Sequence, residues 1–120
     1  MIQRALIISA FIAVALNAQT EAPDAVKQSP EYYTVRYEND CVRVLDYRLK
    51  PGQKEAMHTH RPGVTYIITT ATLRTSLPTG EVAQGLVNAG DIHKREQNVT
   101  HAVENIGDTE AHVIIVEMKN

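Results

Sequence analysis

The chain has 120 residues, a formal charge of −2 at neutral pH, 43% apolar residues and a single cysteine, Cys41. That length suits one domain rather than two, and a mildly acidic chain without a basic stripe argues against nucleic acid as a partner. One cysteine cannot form an intramolecular disulfide, so stability has to come from packing.

The first predicted element is an export signal over residues 1–18. Arg4 supplies a positive start, residues 5–16 are an unbroken apolar run, and Asn17-Ala18 offers a small-residue cleavage point. The run is shorter than the ~20 apolar residues of a membrane span, so the expectation is a periplasmic or secreted protein with no membrane contact after leader removal. Residues 19–30 (QTEAPDAVKQSP) are small and polar with no apolar period, and predict a flexible lead-in.

Residues 31–120 predict one all-β domain. β-branched and aromatic residues recur over 32–37, 42–49, 64–70, 73–77, 81–87, 99–106 and 111–118, with turn residues such as Pro51-Gly52, Pro78-Thr79-Gly80 and Gly107-Asp108 between them. No segment after the leader sustains a 3.6-residue period over a helix length. Seven or eight short strands in so small a domain indicate a sandwich or barrel. Cys41, at the head of the second run, reads as a partly buried thiol without a chemical role.

The chemistry-bearing pattern begins at His58-Thr59-His60. On a strand, residues i and i+2 share a face, so two imidazoles in this spacing converge as a metal requires. Gly52 stands six residues before His58, and a second segment runs from Gly90 through His101 to Asn105. Together these segments resemble the paired motifs of the cupin superfamily, G-x5-H-x-H-x3,4-E-x6-G and G-x5-P-x-G-x2-H-x3-N. Gly52, His58 and His60 match the first, and Gly90, His101 and Asn105 the second. The motif glutamate falls at Val64 or Thr65 and the closing glycine at Ala71 or Thr72. Glu96 and Asn98 replace the proline and glycine of the second motif, and Asn98 is a residue type that tolerates positive φ.

The resemblance implies a single cupin-type jelly-roll β-barrel, a divalent-metal site at His58, His60 and His101, and a homodimer pairing through the strand near 32–37. Neutral imidazoles suit Zn, Cu, Fe and Ni, and cupins also carry Mn, so the cofactor is a divalent ion of this group. The implied partner is a small-molecule ligand or substrate. Two functions stay open: dioxygenase, decarboxylase or isomerase chemistry on a small organic acid or enol, or capture of a small molecule or metal without turnover.

Other residues are weighed against this site. Strand parity turns Glu55 and Glu104 away from the histidines, leaving Glu96 as the better guess for a fourth ligand. Arg61 and Tyr66 follow the His-x-His pair closely enough to face the same cavity. His93 and His112 hold no motif position and read as surface or supporting residues.

Overall fold

The computed structural model describes residues 22–119, so the export signal expected at residues 1–18 lies outside the described residues, as does the start of the lead-in. Among the described residues nine strands follow one another: β1 (Tyr33–Glu38), β2 (Val42–Leu49), β3 (His58–His60), β4 (Gly63–Ile67), β5 (Ala71–Ser76), β6 (Val82–Val87), β7 (Ile92–Arg95), β8 (Val99–Asn105) and β9 (Ala111–Met118). They form two antiparallel sheets, β1-β2-β9-β4-β7 and β3-β8-β5-β6. No helix among the described residues is long and apolar enough to cross a membrane.

Alternation decides which face each strand buries. Along β9 burial alternates residue by residue, with Ala111, Val113 and Ile115 inward, and on β2 the inward set is Leu45, Tyr47 and Leu49. With Ile67 and Ala71 from β4 and β5 and Val103 from β8, these side chains form one core fed by both sheets. β1 is an edge strand whose residues after Tyr33 are exposed.

Three expectations are corrected. The lead-in is packed over its described part: α1 (Ala25–Gln28) is capped by Asp24, Ala25 and Ser29 are buried, and the Thr59 amide donates to the Pro23 carbonyl at 2.8 Å. A single helical turn needs only one residue against the core, so no apolar period announces it. Cys41 is exposed, because β2 begins one residue later and the Asn39 side chain ties the tight turn by accepting from the Cys41 and Val42 amides. Asn98 does not use the left-handed region, since no non-glycine among the described residues has positive φ.

Candidate metal centre

β3 is only three residues long, but its register with β8 sets the site. His58 lies directly opposite His101, and His60 opposite Val99. His58 and His60 share one face of β3 by the two-residue period, so all three expected histidines meet. Each offers a ring nitrogen, and these atoms lie within 4.8 Å of one another. Ring centroids are 4.8 Å apart for His58–His60 and His58–His101, and 5.5 Å for His60–His101.

The hydrogen bonds behind the rings fix which nitrogens point inward. His58 Nδ1 faces the Ala56 carbonyl at 2.8 Å, and His60 Nδ1 faces Glu117 Oε2 at 2.7 Å. A carbonyl and a carboxylate only accept, so both Nδ1 atoms carry the proton and donate. The two Nε2 atoms are then bare lone pairs, 3.1 Å apart. A proton between them would make a buried imidazolium, and burial above all pushes His58 down to about 4. Burial, then the neighbouring His58, His60 and Arg95, push His101 down to about 3. Two nitrogens each about 2.0–2.1 Å from one ion stand roughly 3 Å apart, so the donor set fits a divalent cation.

Glu117, on the inward parity of β9, is fully buried and joins His60 to Arg43, whose Nε donates to Glu117 Oε1 at 3.0 Å. Arg43 also donates to Asp24 Oδ1 at 2.7 Å, so a chain of charge-assisted hydrogen bonds runs from the N-cap of α1 to the neutral His60 ring. Burial raises the Glu117 carboxyl, but His60 and Arg43 outweigh it and hold Glu117 below the usual carboxylate range. Sequence reading missed both residues although the signal was present. Arg43 shares parity with Leu45, Tyr47 and Leu49, and Glu117 with Val113 and Ile115.

The parity argument against Glu55 fails because β3 starts only at His58. Glu55 precedes the strand, its amide donates to the Val103 carbonyl, and its side chain is buried in the same cavity. The Tyr33 and Tyr47 hydroxyls each donate to one Glu55 oxygen at 2.9 Å. Burial nonetheless pushes Glu55 up to about 7. The Tyr33 hydroxyl is also 3.4 and 3.5 Å from the Nε2 atoms of His58 and His60, and burial with Glu55 beside it holds this phenol far above its ordinary range.

Other sequence-stated candidates sit elsewhere. Glu96 is exposed and paired with Lys94, Glu104 pairs with Arg74, Arg61 is exposed and bonds the Lys119 carbonyl, and Tyr66 is exposed. His112 bonds Asp46 at 3.0 Å, away from the cavity. Of the two motif-glutamate positions Thr65 lines the cavity and Val64 is exposed. Asn105 is structural: its amide donates to the Leu49 and Thr109 carbonyls at 2.8 Å and its oxygen accepts from Gly107.

Beside the histidines lies a cavity of about 330 Å³, with His60, His101, Glu55 and Tyr33 among its polar lining groups and Ile67, Leu73, Val103 and Ile115 among its apolar ones. His93 and Arg95 of β7 also line it. Such a volume holds one small organic molecule.

No protein-family model matches the chain, and no curated protein sequence matches it. Solved structures do. A cupin domain from Bordetella pertussis Tohama I is 29% identical with a TM-score of 0.68, covering 83% of this chain and 98% of that one. A protein with a double-stranded β-helix domain from Klebsiella pneumoniae is 26% identical with a TM-score of 0.53, covering 73% of this chain and 76% of that one. The polyketide cyclase RemF from Streptomyces resistomycificus is 13% identical with a TM-score of 0.56, covering 73% of this chain and 64% of that one.

Proposed function

The chain has the cupin jelly-roll fold, and on that footing we propose that it is a metal-dependent cupin acting on a small organic acid or enol. One observation carries the reading: three imidazole nitrogens lie within 4.8 Å of one another, two of them with their other nitrogen committed as a donor. His58, His60 and His101 hold the ion. When bound, a divalent ion supplies Lewis-acid polarisation of a ligand oxygen, on the path to dioxygenase, decarboxylase or isomerase chemistry.

The chain's own residues do the rest. Glu117 fixes the His60 ring by accepting its Nδ1 proton, and the Ala56 carbonyl fixes His58 in the same way. Glu55 titrates near neutrality at the cavity edge, which suits a group that gives or takes a proton. Tyr33 remains protonated and directs its hydroxyl proton to Glu55. The apolar walls pack against the apolar part of the ligand. A group of this kind favours turnover over passive capture, and a structure of the same fold is a polyketide cyclase.

Elemental analysis of purified variants tests the site. His58→Ala, His60→Ala and His101→Ala are each expected to lose most of the bound metal, while His112→Ala keeps it, since His112 faces Asp46. Stoichiometric metal after loss of His101, or none in the unmodified protein above pH 7, would overturn the reading.

A further inference from the structure

Arg95 closes β7 and lines the cavity. Its Nε donates to the Arg61 carbonyl at 3.0 Å, and its terminal nitrogens donate to Thr65 Oγ1 and, at 3.1 Å, to the Val116 carbonyl. All three acceptors are uncharged. Glu117, the carboxylate in its electrostatic surroundings, is already taken by Arg43 and His60. A guanidinium has five N–H donors in a planar fork, so two remain for a ligand.

The backbone keeps room for this arrangement. A Cβ at Gly63 would stand 1.9 Å from the Val116 oxygen and 3.2 Å from an Arg95 terminal nitrogen. Glycine therefore lets the guanidinium reach across β4 to β9. Among the described residues lining the cavity, Arg95 alone carries a permanent positive charge. A half-buried cation without an anionic partner is costly, and burial indeed lowers the Arg95 pKa despite the nearby Glu117. A carboxylate satisfies such a group bidentately.

We propose that Arg95 anchors the carboxylate of a small organic acid whose apolar body lies against Ile67, Leu73 and Ile115 in the cavity beside the histidines. This rests on the cavity being a small-molecule site, and it does not require the metal.

Three carboxylates of rising apolar size, acetate, 3-methylbutanoate and benzoate, are titrated into the isotope-labelled protein, each against its neutral amide, with dissociation constants read by NMR. At least one carboxylate is expected to bind about tenfold or more tightly than its amide and to shift the Arg95 Nε–H resonance. Arg95→Gln should bring that carboxylate to the level of the amide, and Arg95→Lys, which keeps the charge without the fork, should recover part of the difference. No carboxylate preference in the unmodified protein overturns the inference without any variant. Unchanged carboxylate binding in Arg95→Gln overturns it too. Elemental analysis of the same samples separates the two readings: Arg95-dependent binding in protein that holds no metal supports the anchor and sinks the metal site, and stoichiometric metal with no carboxylate preference sinks the anchor alone.

Discussion

Two carboxylates flank the histidines, and their surroundings give them opposite characters. Glu55 meets the Tyr33 and Tyr47 hydroxyls and, at 3.5 Å, His58 Nδ1, and burial drives its carboxyl up to about 7, whereas Glu117 meets the Arg43 guanidinium as well as the His60 ring and stays ionised. An ionised acceptor on Nδ1 increases the electron density available at Nε2 and locks the ring's direction. Glu117→Gln keeps an acceptor but removes the charge. It is expected to weaken metal binding by about 10- to 100-fold, read by competition with a chromophoric chelator. The Arg43 guanidinium then loses its buried counter-charge, so the variant should also be less stable. Metal affinity unchanged in folded Glu117→Gln would show that the carboxylate serves only the Arg43 ion pair.

Among the elements, β4 holds the glycine with the least room for a side chain among the described residues. Gly63 has φ 153°, and a methyl group there would overlap the Val116 carbonyl of the paired strand β9. Gly63→Ala is expected to destabilise the fold by roughly 2–3 kcal/mol, measured by urea denaturation, because β4 and β9 must separate to relieve the clash with the Val116 carbonyl. β2 and β9 are legible in the sequence because each has one buried face, which imposes alternation along the whole of β9 and from Leu45 to Leu49 in β2. β7 is not: Ile-His-Lys-Arg is an exposed edge held by pairing to β4, so no hydrophobic period marks it. The histidine triplet is legible because motif spacing survives, and the strand period makes His58 and His60 share a face. Glu117 and Arg43 were hidden by their charge, which suggests a solvated position until the buried ion pair satisfies it. Glu55 was hidden because strand parity was extended past the end of the strand.

At the scale of the molecule, the buried titratable groups set how stability depends on pH in the metal-free protein. His58 and His101 have folded pKa values of about 4 and about 3 against 6.5 for the free side chain, so the unfolded chain binds more protons below pH 6.5. Their contribution is present above pH 6.5 and lost as pH falls toward those folded values. Glu55 works the other way: raised from 4.5 to about 7, it is protonated in the folded state and ionised in the unfolded one, so its contribution is lost as pH rises through that window. Between pH 4.5 and 6.5 the two histidines favour higher pH by about two protons and Glu55 opposes them by about one, leaving a net uptake of about one proton on unfolding. Glu55→Gln removes the opposing group, so over the same interval its stability should fall on acidification about twice as steeply as that of the unmodified protein. It should also be relatively more stable above pH 7, by on the order of 3 kcal/mol for the loss of an ionised carboxylate that the fold disfavours. Urea midpoints at half-unit steps from pH 4.5 to 8, with chelator present throughout, measure both slopes. Parallel curves for the two proteins would mean that Glu55 is ionised in the folded state across this range, and that the cavity lacks the proton-carrying carboxyl assigned to it.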